Sequence, residues 1–105
     1  MIDKKIVRYC VDNQRLSWQK HALERMLERD IYKGEVKKTL MEGEVIKEYV
    51  DDKPYPSFLM LRMNEELKPL HVVVSIDQKK LWCYIITAYR PDTTHFEDDY
   101  KTRKK

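Results

Sequence analysis

The sequence has few of the residues that mark several common kinds of site. Its two glycines, Gly34 and Gly43, are too few for the glycine-rich loops that cradle nucleotide phosphates, so folds that depend on such loops are excluded. Its two cysteines, Cys10 and Cys83, lack Cys-x-x-Cys spacing and nearby histidines. The pattern therefore indicates neither a zinc site nor a disulfide framework, and it favours a reducing cytoplasm as the compartment. We expect no metal and no cofactor.

Long hydrophobic runs are missing as well. No apolar stretch approaches the roughly 18 residues that a membrane span requires, which predicts a protein with no membrane partner. Hydrophobic residues make up 42% and charged residues 37% of the chain, a composition that fits a soluble globular protein. The length of 105 residues indicates a single domain, 1–105. The net charge is +3, and the basic residues that end the chain favour nucleic acid only weakly.

Helical spacing of apolar residues comes first in the chain, and strand-like runs follow Gly43. The predicted helices are Ile2–Val11, a segment capped by Ser17 and running to Arg29, and Glu35–Met41, with Gly43 as a stop. The predicted strands are Val45–Val50, Ser57–Met63, Leu70–Ile76 and Leu81–Tyr89. We therefore expect an α+β fold with two or three N-terminal helices packed on one face of a four-stranded antiparallel sheet. The last five residues are expected to fray.

One row of the second predicted helix combines a titratable base with two fixed cations. Helical spacing places His21, Arg25 and Arg29 along one edge of an apolar arc, where we expect them to be half shielded from water. Imidazole titrates near neutral pH and guanidinium forks onto phosphate oxygens, so the row suits an anionic ligand or a phosphoryl transition state. The alternative is an ordinary solvated helix face.

Further candidates lie on the predicted strands and turns. His71 is a polar residue in the most apolar strand and needs a partner, which a backbone carbonyl or a hydroxyl could also supply. Thr87 and Tyr89 share one side of the last strand, and Arg90 points the other way; all three suit RNA phosphates or bases. Tyr55 lies between two prolines as either a stacking platform for a base or a lid over the sheet edge.

Several ordered motifs resemble one known family. They are His21-Ala-Leu-Glu-Arg-Met-Leu-Glu-Arg29, Gly43-Glu-Val-Ile46, Pro54-Tyr-Pro-Ser57, Leu70-His-Val-Val-Val74 and Ile86-Thr-Ala-Tyr-Arg-Pro91. Together they resemble the domain-of-unknown-function family DUF4258 over a core of residues 18–97, leaving the N-terminal helix and a basic tail, 98–105, outside. The resemblance implies a RelE/barnase-like fold and a toxin of a toxin–antitoxin pair, with a small zinc-finger antitoxin protein as partner.

The resemblance also implies a chemistry, namely metal-independent RNA cleavage in which a base withdraws the proton of the 2′-hydroxyl and the alkoxide attacks phosphorus. On that reading His21 or His71 is the base or acid, Arg25 and Arg29 stabilise charge on the phosphorane, and Tyr89 positions a group or donates a proton. Two alternatives stay open: a non-catalytic RNA- or ribosome-binding module, and a protein-interaction domain with structural histidines.

Overall fold

The computed structural model describes residues 3–104 of the chain, and its helices precede most of its strands. The helices are α1 (Lys4–Asp12), α2 (Lys20–Glu28) and α3 (Lys33–Glu42). The strands are β1 (Leu16–Trp18), β2 (Glu44–Tyr49), β3 (Ser57–Met63), β4 (Pro69–Asp77) and β5 (Trp82–Tyr89). The α+β class is confirmed, and the first predicted helix is confirmed from Lys4 onward, since Ile2 lies outside the described residues.

The described sheet has five strands in the order β1-β5-β4-β3-β2, so the prediction of four strands is wrong. Strands β2 to β5 form the expected antiparallel meander, and β1 adds a short parallel strand along β5. Ser17 pairs with Tyr84 in that ladder instead of capping a helix, and α2 begins only after Gln19. A strand of three residues is too short to show a period of two, which is why the sequence pattern missed it.

Gly43 ends α3 as predicted, and close packing explains why a glycine is needed there. A Cβ atom at this position would lie 2.6 Å from the carbonyl oxygen of Thr39 and 2.8 Å from that of Leu61. Only a residue without a side chain lets the chain pass from α3 into β2 this close to β3.

All three helices pack on one face of the sheet, as predicted. Helix α2 packs on β5, α3 packs on β3 and β4, and α1 packs on α3 and β5. Alternate residues of β4 supply the sheet side of this core: Leu70, Val72, Val74 and Ile76. Among the described helices, none is both long and apolar enough to cross a membrane.

The opposite side of the sheet, which we call the helix-free face, is partly covered by the C-terminal segment, residues 92–104. Phe96 and Arg103 form a β-bridge within this segment, and the main-chain N–H of Lys104 donates to the carbonyl of His95 at 2.9 Å. The expectation that the last five residues fray is therefore wrong for 101–104, because turn hydrogen bonds hold them; Lys105 lies outside the described residues. The segment brings aromatic and basic side chains onto the sheet.

Candidate functional site

The histidine and arginines of α2 form an exposed row. The Nε of Arg25 lies 3.5 Å from Nε2 of His21, and its Nη1 pairs with Glu28 at 3.2 Å. Nη1 of Arg29 donates to the carbonyl of Ala88 on β5 at 2.9 Å. The expected half-shielding is found for Arg25, whose side chain is 45% exposed, and for Arg29, whose hydrogen bond to Ala88 is partly buried. His21 is exposed on the same row.

His71 and Tyr89 face each other across β4 and β5 on the helix-free face. The two residues are paired in the strand register, and His71 is fully buried. Nδ1 of His71 lies 3.2 Å from the hydroxyl of Tyr89, and Nε2 lies 2.7 Å from the carbonyl oxygen of Tyr100. The imidazole also contacts the rings of Tyr89 and Phe96 edge-on, at centroid distances of 5.2 and 4.9 Å.

The hydrogen bonds of His71 define its protonation. A carbonyl oxygen can only accept, so Nε2 carries the hydrogen that is donated to Tyr100. Burial lowers the pKa of His71, and the hydrogen bond to the Tyr100 carbonyl opposes that shift. The imidazole is therefore neutral near pH 7, and its Nδ1 accepts a hydrogen bond from the Tyr89 hydroxyl. Burial, and then the neighbouring Tyr49, raise the pKa of Tyr89, so its phenol stays protonated.

Two β-bulges place the side chains of Thr87, Tyr89 and Lys47 on the helix-free face. In β5 the register shifts opposite Val73 and Val74, so that Ile85 faces the core but Thr87 and Tyr89 do not. In β2 the register shifts between Val45 and Lys47, which moves Lys47 to the same side as Tyr89. Strict alternation would have directed these side chains towards the helices. The shared side of Thr87 and Tyr89 is confirmed.

Tyr89 lines two cavities, of about 210 and 190 Å³. Tyr89, Phe96 and Arg103 form walls of both cavities. Lys47 and Tyr49 line the smaller cavity, and His95 and Arg90 are among the residues that line the larger. Hereafter, the Tyr89 site means Tyr89 with His71, Lys47, Tyr49 and Arg103.

The Tyr89 site is positively charged. Nζ of Lys47 lies 5.3 Å above the ring of Tyr49, and the guanidinium carbon of Arg103 lies 5.7 Å from the ring centre of Phe96. Cations held over aromatic faces keep hydrogen-bond donors available to an anion. A third cation, Lys101, lines the smaller cavity but forms an ion pair with Glu44 at 3.0 Å.

Three other predicted residues have different surroundings. Arg90 pairs with Glu35 of α3 at 2.8 Å and donates to the Pro69 carbonyl at 3.2 Å, so it ties β5 to a helix while it lines the larger cavity. Tyr55 stacks on Tyr84 with ring centres 5.5 Å apart, which occupies one face of its ring. Thr87 is half-buried on the same side of the sheet as Tyr89.

The structure thus brings together only part of the predicted set. His71 and Tyr89 meet directly, and Arg29 reaches the main chain one residue before Tyr89. His21 has Arg25 as its partner, not His71, and the row of α2 lines neither cavity at Tyr89. No group of three His, Cys, Asp or Glu side chains within residues 3–104 is arranged to hold a metal ion.

Sequence reasoning missed the residues that complete the site. These are Lys47, Tyr49, Phe96, Tyr100 and Arg103. In β2 the spacing of Lys47 and Tyr49 was a usable signal that both share a side of the strand. The C-terminal segment carried no such signal, because turns and a single bridge shape it.

Comparison with known proteins gives one result. A family model described as a domain of unknown function, DUF4258, matches residues 18–90, so the match begins in β1 and ends at Arg90. No curated protein and no solved structure matches the chain. The matched range contains His21, His71 and Tyr89 and ends before the C-terminal segment. Since the match to the family model covers well over half of the sequence, the chain belongs to the DUF4258 family.

Proposed function

We propose that the protein is a metal-independent endoribonuclease whose reaction takes place at the Tyr89 site. One observation carries the proposal: a neutral, buried imidazole accepts a hydrogen bond from a phenol that lines two cavities, both of which are also lined by the cation Arg103. A phenol that is hydrogen-bonded to an imidazole base can exchange protons with a substrate hydroxyl. Cations beside the phenol stabilise the negative charge that develops on a phosphate in the transition state.

The residues support the following step. The 2′-hydroxyl of RNA gives its proton to the Tyr89 oxygen while the phenol passes its own proton to Nδ1 of His71. The 2′-oxygen forms a bond to phosphorus, and the bond from phosphorus to the 5′-oxygen breaks. The products are a 2′,3′-cyclic phosphate and a 5′-hydroxyl. The 5′-oxygen takes its proton from His71 through the Tyr89 hydroxyl, or from water, whose hydroxide then takes the His71 proton. DNA lacks the 2′-hydroxyl and is not cleaved.

Arg103 and Lys47 bind the scissile phosphate in this proposal. Arg103 forms a wall of both cavities, so its guanidinium can reach a phosphate that bridges them. The nucleosides on either side then occupy one cavity each. Tyr49 offers an aromatic ring to the base in the smaller cavity.

The exposed row of α2 contributes RNA binding instead of chemistry. Arg29 is held beside β5 by the Ala88 carbonyl, and Arg25 and His21 continue the row along the helix. Phosphates of a strand leaving the site at β5 would meet these side chains. Thr87 and Tyr55 lie on the same sheet face as further contacts along the strand.

We place this activity in a type II toxin–antitoxin system of the cytoplasm. The support is the family resemblance together with the cationic site, which a small zinc-finger antitoxin would neutralise by covering it. Such a cover keeps RNA phosphates from Arg103 and Lys47.

Substituting Tyr89→Phe tests the proposal directly. It removes the hydroxyl and keeps the ring, so cleavage of end-labelled single-stranded RNA in EDTA should fall by roughly 10²- to 10⁴-fold, while RNA binding is retained. The wild-type protein should produce 2′,3′-cyclic phosphate ends and leave DNA of the same sequence intact. Cells that express the wild-type chain alone should grow slowly, and cells that express the variant should not.

The matched control is Tyr32→Phe, which makes the same change at an exposed tyrosine that precedes α3. It should cleave RNA at the wild-type rate. Binding of RNA without cleavage by the wild-type protein would favour the RNA-binding module over the enzyme. Full activity of Tyr89→Phe would remove Tyr89 from the mechanism.

A further inference from the structure

The C-terminal segment lies beyond the matched family range, yet it contacts the centre of the Tyr89 site. The family match ends at residue 90. Residues 92–104 fold back over the helix-free face, where the Tyr100 carbonyl accepts the Nε2 hydrogen of His71 at 2.7 Å. This is the shorter of the two hydrogen bonds of that ring, since the contact with Tyr89 is 3.2 Å. The main chain of the segment therefore takes part in orienting the imidazole.

A side chain of the same segment shapes the turn that presents this carbonyl. Oδ1 of Asp99 accepts from the main-chain N–H groups of Lys101 and Thr102 at 2.8 and 2.9 Å. Its Oδ2 accepts from the Thr102 hydroxyl at 2.8 Å. Between these groups, Tyr100 has a φ of 58°, in the left-handed region that residues with a side chain adopt at a cost. The carboxylate thus helps to hold Tyr100 in this conformation, together with the main-chain hydrogen bonds from Tyr100 to Glu97 and from Glu97 to Thr102.

We infer that Asp99 is a positioning residue that fixes the tautomer of His71 through the Tyr100 carbonyl. With the hydrogen on Nε2, Nδ1 must accept, so the Tyr89 hydroxyl hydrogen points at the ring and the phenol oxygen keeps its lone pairs free to accept from another donor. In the other tautomer Nδ1 would donate to the phenol oxygen and reverse this polarity. The effect of this tautomer on catalysis rests on the proposed function. The position of the hydrogen on the His71 ring is independent of that proposal.

The polarity of the bond between His71 and Tyr89 decides what the phenol can do. An oxygen that donates its own hydrogen to the ring is free to accept the 2′-hydroxyl proton. An oxygen that already accepts from the ring has lost that capacity in part, and its hydrogen would point into the cavities. Loss of the Tyr100 carbonyl would therefore weaken proton transfer while the cations and the cavities remain.

Nitrogen-15 NMR of the His71 ring tests the inference, because protonated and unprotonated ring nitrogens have well-separated shifts. The full-length wild-type protein at pH 7 should show a protonated Nε2 and an unprotonated Nδ1. Asp99→Ala should give mixed tautomers, and Asp99→Asn should restore the wild-type pattern, since its amide oxygen still accepts from Lys101 and Thr102. Thr102→Val, a milder change, should give a smaller shift in the same direction.

The matched control is Asn64→Ala, because Asn64 accepts from two main-chain N–H groups in the turn between β3 and β4. It should leave the His71 nitrogen shifts unchanged. In RNA cleavage, Asp99→Ala should lower kcat by roughly 10- to 100-fold with little change in KM.

Failure of the inference and failure of the proposed function are distinguishable. A wild-type ring protonated at Nδ1, or wild-type shifts in a folded Asp99→Ala protein, would overturn the role of Asp99. If Asp99→Ala does not fold, the wild-type tautomer and the Thr102→Val shift decide the question. The expected NMR result without any RNA cleavage would support the tautomer and contradict the nuclease.

Discussion

His21 and His71 have the same side chain and opposite surroundings. His21 is exposed on α2, where its partner is the flexible guanidinium of Arg25 at 3.5 Å. His71 is fully buried on β4, with a hydrogen-bond partner at each ring nitrogen and two aromatic rings at its edges. The sequence motif around His21 is the more conspicuous, but the structure gives the defined geometry to His71.

A buried imidazole with a hydrogen-bond partner at each nitrogen can fix the orientation of a neighbouring hydroxyl group. The exposed imidazole is suited to binding an anion at the surface, where solvent screens its charge. The sequence left the role of base or acid open between the two histidines, and the proposed function assigns proton transfer to His71 and RNA binding to His21. Three measurements test this distinction.

The largest contrast is in stability. His71→Ala should lower the free energy of unfolding by about 2–4 kcal/mol, because it opens a cavity under Phe96 and leaves the Tyr100 carbonyl without its donor. His21→Ala should change it by less than about 0.5 kcal/mol, as expected for an exposed site. Urea unfolding followed by circular dichroism measures both. Equal losses for the two variants would contradict the contrast.

The second contrast compares the cations of the two regions. Arg103→Gln should lower RNA cleavage by roughly 10²-fold, about 2.7 kcal/mol of transition-state stabilisation, because this guanidinium borders both cavities. Arg25→Gln should leave kcat within about 3-fold of the wild-type value and weaken RNA binding slightly, since Arg25 pairs with Glu28 on the surface and lines neither cavity. Single-turnover cleavage and binding over a range of salt separate the two effects. A larger loss from Arg25→Gln would move the reaction to α2.

The smallest contrast appears in the pH dependence of stability. Burial holds the pKa of folded His71 below the ordinary value of about 6.5 that the unfolded chain has. As the pH falls below about 6.5, the unfolded chain takes up the proton first, so the stability contributed by His71 is complete above that pH and is lost on acidification. The slope should not exceed about 1.4 kcal/mol per pH unit for one proton.

Comparison of wild type with His71→Gln isolates this contribution, because other groups titrate alike in both proteins. The difference in unfolding free energy between pH 7.5 and 5.5 should shrink in the variant. An unchanged pH dependence in His71→Gln would mean that the ring is accessible to protons in the folded state.

Much of the fold could be predicted from periodicity, and the failures have physical causes. The helices follow from apolar spacing because each buries one side, and β3 and β4 follow from nearly continuous apolar runs because both of their sides are buried. Strand β1 was missed because three residues carry no usable period. The C-terminal segment was missed because turn hydrogen bonds, such as those of Asp99, leave no hydrophobic pattern.

Local sequence patterns were sufficient for the α+β class, the apolar side of β4, the position of Gly43 and the placement of His71 and Tyr89 near strand ends. That Tyr89 faces away from the helices depends on the folded chain, because a bulge in β5 shifts its side. A second bulge in β2 brings Lys47 to the same face. The tertiary structure also brought Arg103 and the Tyr100 carbonyl to His71 from far along the chain. Local spacing sets which side of an element is apolar, whereas register shifts and long-range folding set which polar groups meet.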